Sequence, residues 1–288
     1  MSNRRTTKSS VSDCSIMTHA ELLDHDVAEL FQELFETTTE PILIVNPSHA
    51  ELESLIVSAI EFDADGPELR VLTDEQTPSS VFDDFIIASH AADLIDREQL
   101  QPRSAPEIAR NSLLITTDRI IPLVEINGEI TSLQSDDSEL VDQARATFMA
   151  EWEEADQVTL RTPPLSEIRE TLREDIGDET ADDFDEFLEA TETVDSESAL
   201  DEVAISLIVA AKNRVLLYDI SKWGEDVGLA SKATFSRTKT HLEDTGLIDT
   251  EKVPIDVGRP RLRLRFADED LHDASIDDLL ERARSRTA

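Results

Sequence analysis

Cysteine is nearly absent. Cys14 is the only one in the chain, which excludes an intrachain disulfide and a Cys-rich zinc site. Glycine is scarce too. The seven present are scattered singly, and neither a G-x-x-x-x-G-K-[ST] phosphate loop nor a G-x-G-x-x-G dinucleotide turn occurs. There is no G-x-S-x-G nucleophile elbow. Lysine is limited to six residues, with none between Lys8 and Lys212. Phospholipase-D-type phosphoryl transfer needs a histidine and a lysine working together, so an active enzyme of that type is excluded from the first two-thirds of the chain. Apolar runs are short, none reaching the roughly 18 residues of an ordinary transmembrane helix.

Acid is what the chain has in excess. Asp and Glu number 64 against 26 Lys and Arg, a formal charge of -38. Low hydrophobicity with high charge can mean disorder, but a hydrophobic fraction of 39% and regular apolar runs point to a folded protein. Dense surface carboxylates hold water and keep molecules apart, the composition expected of a high-salt cytoplasm. The opening residues 1–18 combine basic and polar residues with no apolar core behind them. They read as a disordered tail rather than a secretory signal, with Met17 an alternative start. A cytoplasmic protein without a membrane partner is expected.

The first folded unit is expected over residues 19–158. Leu23, Val27, Leu30, Phe31 and Leu34 recur at helical spacing from Ala20 to Thr38. PILIVNPS reads as a buried strand, Ser48 as the cap of a following helix, and ELRVLT as a second strand. One or two helices are expected between Ser79 and Leu100, and a short one from Pro106 to Arg110. SLLITT, RIIPLVEI and EITSL then read as antiparallel strands, the last two joined by Asn127-Gly128, a strong hairpin signal. A helix from Asp137 to about Ala155 completes an α/β domain that senses a ligand or dimerises. In such units ligands favour the carboxyl ends of strands, which singles out Asn46, Ser48, Thr73 and Asp74 for a small-molecule effector. His49 with Glu53, and His90 with Asp93, lack the further ligands of a metal site. No catalytic residue, metal or cofactor is expected.

Residues 159–198 read as an acidic helical linker. Leu165, Ile168, Leu172 and Ile176 form one stripe, and Asp178 to Glu202 holds twelve acidic residues and no basic one. Phe184, Phe187 and Leu188 still mark an apolar strip there, which either packs on a neighbour or pairs two copies of the chain.

Residues 199–270 hold the pattern that points to function. ALDEVAISLIVAAKN and LLYDISKWGEDVGLA read as two helices. Ser231 can cap a third, with Phe235 and Leu242 facing inward and Lys232, Thr234, Arg237, Thr238 and Lys239 outward. IDTEKVPI and RLRLRF alternate as strands around a tip containing Arg259 and Pro260. Three helices and a two-stranded wing in this order make a winged helix-turn-helix, followed by a helix or tail over 271–288. Between Lys212 and Arg265 there are eleven basic and eight acidic residues, whereas the rest of the chain carries 15 and 56. Gathering cations on one unit of an acidic protein prepares a surface for a polyanion. Lys222, Ser231, Lys232, Thr234, Ser236, Arg237, Thr238, Lys239 and Thr240, with Arg259 and Arg261 of the wing, are the expected DNA contacts. The rival reading is a hairpin whose arginines only pair with the acidic surface.

SKATFSRTKTHLEDTGLIDTEKVPIDVGRPRLRLRF resembles the winged-helix regulators of haloarchaea, and the chain from about Thr18 resembles the TbsP family of haloarchaeal transcriptional regulators. The resemblance implies a sequence-specific promoter binder associated with control of central carbon metabolism. The first domain is similar in layout to the phospholipase-D-like effector domain of TrmB-type regulators. The expected fold is therefore α/β, with an N-terminal α/β (phospholipase-D-like or similar) domain and a C-terminal winged helix-turn-helix. The expected partners are double-stranded promoter DNA and a second copy of the chain, which meets palindromic half-sites through the linker stripe. A winged-helix protein-interaction module is the alternative.

Overall fold

The computed structural model describes residues 27–62, 66–106, 108, 111–126, 129–192, 200–254 and 260–287. The tail 1–18, the start of the first helix, the Asn127-Gly128 turn and the wing tip 255–259 lie outside them.

The N-terminal unit is a seven-stranded mixed sheet in the order β6-β5-β4-β1-β2-β3-β7. β1 (Ile42–Val45), β2 (Leu69–Thr73) and β3 (Leu100–Ser104) run parallel. The crossovers between them are α2 (His49–Glu61) and the pair α3 (Gln76–Val81) and α4 (Phe85–Asp96). On the other side of β1, the strands β4 (Leu113–Ile115), β5 (Ile120–Ile126) and β6 (Glu129–Ser132) are antiparallel. Alternation of side chains splits the core in two. Ile42, Ile44, Leu69 and Val71 point to α1 (Val27–Thr37), α2 and α4. Leu43, Val45 and Leu72 point to α5 (Ser138–Glu154) on the opposite face.

Two strands depart from the expected pattern. LQPRS carries one large apolar residue and a proline, so it gives no strand signal, yet it forms β3. Pro102 is tolerated because its carbonyl points away from β2, accepting from the Val158 N–H at 3.1 Å, so the missing donor leaves the β2 ladder intact. The short β7 (Asp156–Gln157) then pairs antiparallel with the outer side of β3. The expected short helix at 106–110 does not form at Pro106 or Ile108, which are irregular.

In the C-terminal unit, α6 (Leu165–Asp175) and α7 (Asp178–Glu192) share one core with the helices that follow them. These are α8 (Glu202–Lys212), α9 (Leu217–Asp226) and α10 (Lys232–Asp244). The hairpin β8 (Ile248–Val253) and β9 (Arg261–Phe266) comes next, then a 3-10 turn (Glu269–Asp273) and α11 (Ile276–Thr287). The linker stripe is therefore no docking surface for a second copy: Leu165, Ile168 and Leu172 are at most 1% exposed within this one chain. Phe184, Phe187 and Leu188 are buried with them, while Asp178, Glu179, Asp182, Glu186 and Glu189 of α7 are exposed. Asp185 pairs with Arg169 of α6 at 2.5 Å, and Asp183 clamps the end of α8 through Lys212 Nζ (2.5 Å) and Asn213 Nδ2 (2.6 Å).

The two units meet along α4 and α6. Phe85 and Ile86 lean on the C-terminal core. The buried Asp93 carboxylate accepts the backbone N–H of Ser166 at 3.2 Å and also its hydroxyl.

Candidate nucleic-acid interface

The helix-turn-helix is α9, the turn 227–231 and α10. Close approach of the two helices depends on Gly224, whose missing Cβ leaves room for Phe235; a methyl there would sit 2.3 Å from the ring. Gly228 takes the turn with a φ of +83°, a conformation glycine adopts without steric cost. Trp223 is buried and donates its indole N–H to Thr171 Oγ1 on α6 at 3.0 Å, while its ring meets Phe184 of α7 edge-on. Both preceding helices therefore brace the motif. The wing is registered from Ile248↔Phe266 to Val253↔Arg261. An isolated antiparallel bridge from Leu216 to Arg263 ties the start of α9 to β9.

Ser231 caps α10, its hydroxyl accepting from the Thr234 N–H at 3.2 Å, and Gly246 ends it with a φ of +71°. Phe235 and Leu242 are fully buried. The opposite face exposes Lys232, Ser236, Arg237 and Thr240, with Thr234 and Thr238 half-buried beside them. Thr240 Oγ1 donates back to the Ser236 carbonyl at 2.9 Å. Lys239 sits differently from the others. Its side chain is 13% exposed and ion-paired to Glu243 at 2.6 Å, which also accepts from Thr250 Oγ1 of β8 at 3.1 Å. It joins α10 to the wing.

Most cations of this unit are held by neighbouring carboxylates. Lys222 pairs with Asp226, and Lys232 crosses the turn to Glu225. Hydrogen bonds from Lys232 and Lys222 hold the Glu225 and Asp226 carboxyls below the ordinary range. Arg261 binds Asp219 at 3.3 Å and stacks 4.4 Å over the Tyr218 ring. Arg263 binds Glu251 at 3.2 Å and Arg265 binds Asp249. Of the cations between Lys212 and Arg265, Arg237 and Lys252 alone among the described residues have no carboxylate partner. Lys252 carries no apolar or helical signal that would have singled it out. Arg259 lies outside the described residues.

The four expected effector residues do come together, at the carboxyl ends of the paired strands β1 and β2. Two already serve the fold. Ser48 forms a capping box with Glu51, and Asp74 accepts the N–H groups of Gln76 and Thr77. Thr73 is buried with an unpartnered hydroxyl, and Asn46 adopts a φ of +51°. A cavity of about 440 Å³ lies elsewhere, between Ser104, Ala105, Pro106 and Ile108 and the end of α5.

The model of the TbsP-like transcriptional regulator N-terminal domain matches residues 19–163, and that of the TbsP-like C-terminal HTH domain matches 164–284. The chain belongs to the TbsP-like family of transcriptional regulators. The boundary between these TbsP-like domains falls just before α6, the helix whose stripe enters the C-terminal core. No curated protein matches the chain. Among solved structures it is similar to TrmBL2, an archaeal chromatin protein described as showing a novel mode of DNA binding. That similarity has 15% identity and a TM-score of 0.37, covering 53% of this chain and 57% of the other. The chain thus spans little more than half of that protein's length. It is also similar to Nuc, a phospholipase D family member from Salmonella typhimurium, at 10% identity and a TM-score of 0.33, over 45% of this chain and 89% of that one.

Proposed function

We propose that this TbsP-like chain is a sequence-specific regulator that reads promoter DNA with the helix segment 231–245 and the wing 255–263, and that its targets are metabolic genes. The supporting observation is Arg237, exposed and without an acidic partner on a hydroxyl-rich helix face whose other exposed cation, Lys232, is paired with Glu225. A helix of this kind lies in the major groove, where arginine recognises guanine through two parallel hydrogen bonds. Ser236 and Thr240 flank it, and Lys252 and Arg259 reach the adjacent backbone from the wing. The protein works in a high-salt cytoplasm, where the screening length is ~3 Å at 1 M, so contact hydrogen bonds outweigh long-range attraction. It acts without catalysing a reaction, as a homodimer on paired half-sites. Light scattering in molar KCl checks the dimer, and a particle of 32.1 kDa would contradict it. An effector at the ends of β1 and β2 would raise the melting temperature in a metabolite screen, and a flat screen removes that element.

The function itself is tested by capturing genomic fragments at molar KCl with the wild type and with Arg237→Ala. Enrichment of a few promoters, lost in the variant, supports the reading. Absence of enrichment assigns the surface to a protein partner instead.

A further inference from the structure

Three cations of the helix-turn-helix and its wing are already neutralised within the molecule. Lys222 and Lys232 lie on either side of the turn between α9 and α10, and their carboxylates, Asp226 and Glu225, are adjacent in sequence. Arg261, at the tip-side end of the wing's second strand, is bound to Asp219, one turn earlier on the exposed side of α9. All six side chains are between 39% and 51% exposed, so each pair can be opened by a competing anion without disturbing the core. Lys239 is excluded from this set by its burial against β8.

We infer that DNA binding by this domain is an exchange of partners, in which phosphates take Lys222, Lys232 and Arg261 from Asp226, Glu225 and Asp219. The inference rests on the DNA-binding reading above. Its consequence is a weak dependence on salt. A free lysine that neutralises a phosphate releases condensed cations, and the logarithm of the binding constant then falls by about 0.9 per contact for each logarithmic unit of salt. Here each contact strands a carboxylate beside the duplex. That carboxylate retains a cation which would otherwise be released, so the contact adds little to the salt slope. Arg237 and Lys252, which have no such partner, contribute in the ordinary way. The three carboxylates thus make the surface tolerant of concentrated salt and suppress indiscriminate adhesion to DNA in dilute salt.

The test measures the affinity of the full chain for a mixed-sequence 30-base-pair duplex across a KCl series. The wild type is compared with the Asp219→Asn/Glu225→Gln/Asp226→Asn triple variant. The exchange predicts a shallow wild-type slope and tighter binding by the variant at the low-salt end. It also predicts a slope steeper by about 0.9 for each cation set free, or roughly 2.7 for three. Circular dichroism confirms that the variant is folded, and Glu225→Gln alone, predicted to steepen the slope by about 0.9, serves if it is not. Equal slopes for wild type and variant, with both binding, overturn the exchange and leave the DNA-binding reading standing. Failure of both proteins to bind at any salt overturns the exchange, because the variant's freed cations should then hold the duplex, and leaves the DNA-binding reading to the promoter capture above. Binding by the variant alone supports the exchange in its strongest form.

Discussion

The two units of this chain place polar residues at prominent positions and use them in opposite ways. At the carboxyl ends of β1 and β2, Ser48 and Asp74 are consumed by backbone N–H groups at the starts of helices. On α10, Ser236 and Arg237 project from a helix that is anchored by other residues, namely the Ser231 cap and the buried Phe235 and Leu242. A polar side chain whose bonding capacity is filled by its own backbone contributes to folding. One left unfilled on a rigid element is available to a partner. The difference separates a topologically favoured position from an equipped surface.

The largest effect that sharpens this contrast is expected from Phe235→Ala. Removing a fully buried ring costs about 3–5 kcal/mol, read from the C-terminal transition in chemical denaturation. Gly224→Ala comes next. Its methyl must displace the Phe235 ring, and overpacking of this kind costs about 1–3 kcal/mol. Then Ser48→Ala, which removes a helix cap, is expected to cost about 1 kcal/mol, whereas Ser236→Ala stays within about 0.5 kcal/mol. Equal losses at Ser48 and Ser236 would erase the distinction between consumed and available side chains.

The smallest effect is a pH dependence at the junction of the units. Burial lowers the His90 pKa below the ordinary histidine value, and the nearby Arg169 adds to this, so the folded state holds the neutral ring. As pH falls through the ordinary histidine range, the unfolded chain takes up a proton that the folded chain refuses, and stability declines. Above that range the effect vanishes. His90→Gln should flatten this part of the stability profile, measured by denaturation at a series of pH values.

Much of this architecture was legible in the sequence because several signals agreed. For α10, the cap residue, the inward spacing of Phe235 and Leu242 and the terminal Gly246 all pointed to the same helix. β3 was illegible because its pairing depends on where Pro102 faces, which composition does not encode. The density of acid hid the role of α6 and α7, since a strip as narrow as Phe184, Phe187 and Leu188 can serve a linker or a core. At the candidate interface, the spacings Lys222–Asp226 and Lys239–Glu243 are visible i,i+4 pairs. The Lys232–Glu225 and Arg261–Asp219 pairs required the tertiary fold. Counting cations therefore located the unit but could not separate the available Arg237 from its occupied neighbours.

Direct titration of an enriched promoter duplex and of its shuffled counterpart at molar KCl, with wild type and Arg237→Ala, tests the central claim. The wild type should prefer the promoter sequence, and the variant should lose about 1–3 kcal/mol of that discrimination while keeping its melting temperature. Equal preference in the two proteins would contradict the assignment of α10 as the surface that reads sequence.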